Sequence, residues 1–237
     1  MDPFYEKKLK GILKSFEKNF KRARGHLVRR FDEATADRIH DDTVEQIRLF
    51  VPELPDVGGK DNQFIQVVLL NAWFIPFFRA SREHGMSAQE YIRMIAEVLH
   101  AGFSRCPRFI RHAGGMMVQS GLFVRRMKKR AAISQQRRYP KDWVYLATSS
   151  DDNPDVLLRV EYSQCTACLM MQEFDAVELM QYCNVADFMM AKALGFGFEN
   201  PDVLGRGAGT CVGLFRRDST CRIPDYLEFA FEGLEFQ

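Results

Sequence analysis

Cys183 and Asp187 stand four residues apart in a stretch with helical patterning. On a helix that spacing projects both side chains from one face, one above the other. A thiol and a carboxylate so placed can share a metal ion, or the acid can hydrogen-bond a substrate that the thiol attacks. The plainer alternative is a buried cysteine beside a surface aspartate. Cys165-Thr-Ala-Cys168 is a lone CxxC. A zinc ribbon needs a second such pair, and a thioredoxin-type motif needs parallel flanking strands, so buried thiols are an equal reading. Gly207-Ala-Gly-Thr-Cys211 brings a glycine-rich approach to a further cysteine, where backbone can come close to a ligand or another strand. His26, His40, His84 and His100 fall among charged helical residues, and only His112, near Gly114, lies by a likely bend. There is no HExxH, GxSxG, GxGxxG or phosphate loop.

These residues must be positioned by two unlike halves. Leu9, Ile12, Leu13, Phe16, Phe20, Ala23 and Leu27 recur at helical spacing, with lysines and arginines mostly between them. A second helix is expected from Ala34 to Phe50, then a turn from Pro52 to Asp61. An apolar helix follows from Asn62 to His84, which Pro76 should kink or end early. Ser87 and Glu90 form a capping box for the next helix. A last helical region, with a weak point at Gly114-Gly115, reaches about Arg138. From Tyr139 the texture changes. Trp143–Thr148 and Val156–Tyr162 read as strands around an Asp/Asn/Pro turn, Ala176–Leu194 as helix with a break near Tyr182, and Val212–Arg216 and Tyr226–Phe231 as strands. The expected fold is α+β: a helical region, 1–138, packed on a cysteine-rich region, 139–237, whose antiparallel sheet carries a helix.

Composition narrows the class. Hydrophobic residues make up 46% and charged residues 27%, which is ordinary for a globular chain. The most apolar stretch, Phe64 to Phe78, contains Gln66, Asn71 and Pro76 and is too short to span a bilayer. Residues 1–30 lack the apolar core of a secretory signal, and six cysteines in such a chain fit reduced thiols, so a cytoplasmic setting and no membrane are expected. Residues 1–150 hold 27 basic and 16 acidic residues, while residues 151–237 hold 6 and 15. The halves should therefore attract each other, across a shared interface or between the subunits of a homodimer. Phenylalanines in the basic N-terminal helix occupy its core face rather than alternating with the basic residues, so nucleic-acid binding is not expected.

Several of these features occur together in an order that resembles the L-2-amino-thiazoline-4-carboxylate hydrolase family. They are Ser134-Gln-Gln-Arg-Arg-Tyr-Pro-Lys-Asp-Trp143, the strand ending in Cys165, Cys183-Asn-Val-Ala-Asp187 and the turn from Gly207 to Cys211. The resemblance implies a hydrolase that opens a small cyclic amidine at a C–N or C–S bond to give an N-carbamoyl amino acid. It carries over to Cys165, Cys183, Asp187 and Cys211, with Gly207 in the turn, and not to Cys168 or Cys221. One departure follows the last cysteine. The family places an acidic and then an aromatic residue there, where this chain has Val212 and Gly213, with Phe215 a step late. Two chemistries fit the carried-over set. A thiolate attacks while Asp187 serves as acid/base and Arg206 clamps a substrate carboxylate, or Cys165, Cys183, Cys211 and Asp187 hold a zinc ion that activates water. A fainter likeness to 4-vinyl reductase-type domains implies a different class, a module that binds a small molecule without turnover.

Overall fold

The computed structural model describes residues 3–149 and 153–236. Six helices come first: α1 (Pro3–Arg30), α2 (Glu33–Phe50), α3 (Ile65–Glu83), α4 (Ala88–Ser104), α5 (Arg108–Val118) and α6 (Gly121–Ser134). Helix α1 buries Ile12, Phe16, Phe20, Ala23 and Leu27, the stripe its periodicity marks out, and leaves its lysines in solvent. The capping box of α4 forms as its sequence dictates, with Ser87 and Glu90 each satisfying the other's backbone N–H.

Two expectations about this half are corrected. Pro76 does not end α3, which runs on to Glu83. The side chains of Ala72, Trp73, Ile75, Phe77 and Phe78 are buried around it, and tertiary packing outweighs the one backbone hydrogen bond a proline removes. Likewise Gly114-Gly115 is not a break. Both glycines lie inside α5, and the interruption comes at Gln119–Ser120, where the Ser120 hydroxyl caps α6.

The second half is α+β. Strands β1 (Val144–Thr148), β2 (Val156–Gln164), β3 (Gly197–Asp202) and β4 (Cys211–Arg216) form an antiparallel sheet in the order β1-β2-β4-β3. Part of the Asp/Asn/Pro turn between β1 and β2 lies outside the described residues. Helix α7 (Thr166–Glu173) leaves the end of β2, a 3-10 turn covers Val177–Tyr182, α8 (Val185–Leu194) follows, and α9 (Asp225–Phe231) ends the fold. Tyr226–Phe231 is thus helix and not strand. Its apolar Leu227 and Ala230 are three apart and both buried, a spacing that a short run cannot distinguish from alternation. Strand β3 was not legible, because Gly197-Phe-Glu-Asn-Pro-Asp202 contains four poor strand formers and a bulge.

One hydrophobic core runs through both halves, from Tyr5 to Ala230. Phe50 meets Phe174 with ring centroids 4.2 Å apart, and Phe64 packs on Trp143, Tyr145 and Tyr162 of the sheet. Ion pairs join basic residues of the first half to acidic residues of the second: Arg82 with Asp175 and Glu178, Arg93 with Glu232, Lys141 with Glu173. The attraction expected from the charge asymmetry operates within the chain. No helix among the described residues is long and apolar enough to cross a membrane.

A second 3-10 turn, Leu204–Arg206, is seated on the Val177–Tyr182 turn through Gly205, where an added Cβ would stand 1.9 Å from the Met180 carbonyl oxygen. Gly205→Ala should therefore force the two turns apart and lower stability by about 1–3 kcal/mol, the usual range for overpacking. Thermal unfolding of the variant checks this, and a melting temperature equal to the wild type's would show that the turns do not bear on each other.

Candidate functional site

The sheet register sets up the site. Tyr145 on β1 pairs with Tyr162 on β2, and Tyr162 pairs with Cys211 on β4, so the three stand in a row across one face. Directly beyond β2, Cys165 is the N-cap residue of α7, with no side-chain capping hydrogen bond to the helix, and the backbone amides of Cys168 and Ala167 favour its thiolate. The thiols then interact in series, Cys165 with Cys168 and Cys168 with Cys183, while Cys211 is close enough to influence both Cys165 and Cys168. Tyr226 from α9 senses Cys183 and Cys211 together. Cys165, Cys183 and Cys211 are thus linked pairwise through Cys168. Cys106 and Cys221 take no part, and all six thiols are free.

Asp187 belongs to the same group. It lies in the first turn of α8 and faces Tyr162 and Cys211. Asp187 is an exposed residue, although protein atoms crowd around its carboxylate. An exposed group crowded on its flanks lies in a shallow recess open to solvent, and the half-buried Tyr162 and Cys211 stand close enough to act on it, with Cys165 beside them. The helix break near Tyr182 corrects the expected geometry of the pair. Cys183 precedes Asn184, the N-cap of α8, so Cys183 and Asp187 are not stacked on one helix. Cys183 interacts with Cys168, and Asp187 acts on Cys211.

The electrostatics are those of burial without compensation. Desolvation raises Asp187 from 3.8 to about 6, overriding the N-terminal helix dipole that favours an anion there. Interaction with Cys168, together with burial, holds Cys165 well above the usual thiol range. For Cys168, contact with Cys165 pulls the value down, but contact with Cys183 and burial outweigh it and the net shift is upward. Burial pushes Cys211 up to about 11 even though Asn200 and the Leu204 amide favour its thiolate. Cys165, Cys168 and Cys211 are therefore protonated near neutrality, the opposite of the activated thiolate that nucleophilic attack needs. No three His, Cys, Asp or Glu side chains among the described residues converge as a metal site requires, so the thiol–carboxylate set does not fit zinc.

Polar groups that the sequence did not single out frame the recess. Asn200, turned by the bulge in β3, donates to Cys211 Sγ at 3.6 Å and to the Val212 carbonyl. Asn184 donates from Nδ2 to Asn200 Oδ1 and to Tyr226 Oη, both at 2.7 Å, while its own Oδ1 is buried with no donor. The Arg206 guanidinium lies 3.9 Å over the Tyr226 ring and makes no ion pair among the described residues, and Gly207 follows it with φ +89° to close the turn toward Cys211. Cys168, excluded by the resemblance, sits in the middle of the thiol series. Only its place in the CxxC hinted at that. A separate cavity of about 270 Å3, lined by Asn62, Phe64, Arg130, Asp142 and Tyr145, lies behind the Tyr145–Tyr162 contact and contains no thiol.

No family model matches the chain, and neither a curated protein nor a solved structure is similar to it.

Because Asp187 holds its proton more tightly folded than unfolded, its ionisation should cost stability as pH rises from 3.8 to about 6, and the whole cost should remain above that window. Asp187→Asn never ionises. The variant should melt higher than wild type at pH 8 and at the same temperature near pH 3.5. Equal melting temperatures at pH 8 would show that the carboxylate is not desolvated.

Proposed function

We propose that this protein is a hydrolase that opens a small cyclic amidine carrying a carboxylate, of the 2-amino-thiazoline-4-carboxylate type, with Asp187 as its acid/base. The observation that carries the reading is the Asp187 carboxyl, raised to about 6 in a recess beside Cys211. A group with that pKa exchanges protons readily near neutrality and needs no metal to do so.

The roles follow from the surrounding donors and acceptors. Asp187, ionised, takes a proton from water as the oxygen adds to the amidine carbon. The tetrahedral intermediate collapses with cleavage of the ring C–S bond, and the proton on Asp187 passes to the departing sulfur, leaving the carbamoyl carbon on the ring nitrogen. Substrate and one water are consumed, and an N-carbamoyl amino acid is released. The unpaired Asn184 Oδ1 offers an acceptor for an amidine N–H. Arg206, fixed flat on Tyr226 and free of any carboxylate, offers the N–H pair for the substrate carboxylate, with Gly207 leaving room beside it. The protonated thiols shape and dry the wall rather than attack.

A second reading has its own support. Cys165, Cys168 and Cys211 all hold their protons, as expected of a site that binds a small molecule and leaves it unchanged. Incubation of the protein with 2-amino-thiazoline-4-carboxylate separates the two, with product measured by chromatography and binding by calorimetry. Turnover should fall about tenfold per pH unit below about 6, drop by about 10²-fold or more in Asp187→Asn, and largely survive Cys211→Ser. Binding with no product at any pH would favour the non-catalytic module. Loss of activity in Cys211→Ser but not in Asp187→Asn would replace the acid/base with a thiol nucleophile.

A further inference from the structure

Helix α5 is amphipathic the wrong way round. Phe109, Ile110, Ala113, Met116 and Met117 fall within about a third of the helix circumference at 3.6 residues per turn, and that face is the exposed one. Phe109 is 74% exposed and Met117 63%, and the stripe continues past the turn to Leu122, 75% exposed. The buried face is made of small residues. Gly115 lies so close to α8 that an added Cβ would be 2.2 Å from the Leu194 carbonyl oxygen, and Gly114 and Val118 complete the contact. A surface helix ordinarily turns its large apolar residues inward. Here the close approach to α8 admits only small ones, and five large apolar side chains are left facing out without a partner in the chain.

Charge indicates what covers them. Residues 98–141 contain eleven lysines and arginines and no aspartate or glutamate. Arg108, Arg111, His112 and Lys192 also line a recess of about 260 Å3 next to the stripe. Among the described residues no acidic side chain borders it, Arg108, Arg111 and Lys192 make no ion pair, and the Arg111 Nε is buried without an acceptor. An apolar stripe flanked by unpaired cations matches a surface with an apolar interior and anionic headgroups. A two-fold dimer through the same face would instead set two basic surfaces against each other.

We propose that α5 and the start of α6 dock the protein on an anionic lipid surface, the helix lying in the interface with its apolar stripe inserted and a lipid phosphate taken by the Arg108–Arg111–Lys192 recess. This is peripheral attachment, distinct from spanning, and it does not depend on the function assigned to the Asp187 recess. Vesicle flotation of the full chain tests it. The protein should float with phosphatidylcholine vesicles containing about a third phosphatidylserine and stay behind with phosphatidylcholine alone, binding falling as salt is raised. Phe109→Glu/Met117→Glu, with an unchanged melting temperature, should weaken partitioning at least about tenfold, as removal of buried apolar surface does. Arg108→Gln/Lys192→Gln should weaken it and flatten the salt dependence. If the first variant does not fold, Leu122→Glu takes its place.

Three results would overturn the proposal. One is wild type that does not float at low salt, even if inorganic phosphate binds the recess. Another is a folded apolar variant that floats as well as wild type. The last is a dimer, seen by sedimentation equilibrium, that the same variant dissolves while no form floats, which would make the stripe a self-association surface.

Discussion

Asp187 is crowded by protein atoms with no cation acting on its carboxylate, although the residue itself is exposed, and the half-buried thiols near it share that uncompensated desolvation. Placing a lysine or arginine next to the carboxylate would have relieved the desolvation and returned its pKa to the ordinary range. No cation acts on it among the described residues, and Arg206 is held instead on the face of Tyr226. Asn200, Asn184 and Tyr226 supply neutral hydrogen bonds, which position groups without fixing their charge. The outcome is a site whose proton-holding groups remain able to exchange, enclosed by elements that do not themselves titrate near neutrality.

Those elements are supported from outside. Phe64 reaches from the entry of α3 onto Trp143, Tyr145 and Tyr162, so the largest apolar helix braces the sheet face that continues to Cys211. The Arg82 pairs with Asp175 and Glu178 tie the same helix to the segment leading into Cys183. Exposed pairs of this kind add little stability singly, and aromatic burial supplies the larger share. The opposite edge is looser. Helix α5 is fastened to α8 by glycines, which allow close backbone approach but bury little apolar area, and this explains how a helix with a strong apolar face came to leave that face outside.

Much of this was written in local pattern. The stripe on α1, the capping box at Ser87, strands β1, β2 and β4, the interruption near Tyr182 and the α+β class follow from periodicity, caps and turn chemistry, which act over a few residues. The charge difference between the halves also announced an attraction, and ion pairs across the interface realise it. Of the candidate site residues, Cys165, Cys183, Cys211 and Asp187 were named from their spacing and from a family resemblance. Which of them act on one another could not be derived from either.

Tertiary structure alone decided the rest, because it depends on what surrounds each residue. Packing on every side carried α3 through Pro76, and the close fit of Gly115 to the Leu194 carbonyl, where an added Cβ would stand at 2.2 Å, converted Gly114-Gly115 from an apparent weak point into a helix contact. Sheet register aligned Tyr145, Tyr162 and Cys211, and the packing of α7 and α8 brought Cys168 and Asp187 within their influence. The protonation states were the least legible feature. A thiol and a carboxylate have the same letters in a sequence whether they are activated or held neutral. Which applies is set by desolvation, and desolvation exists only once distant segments have closed around the group.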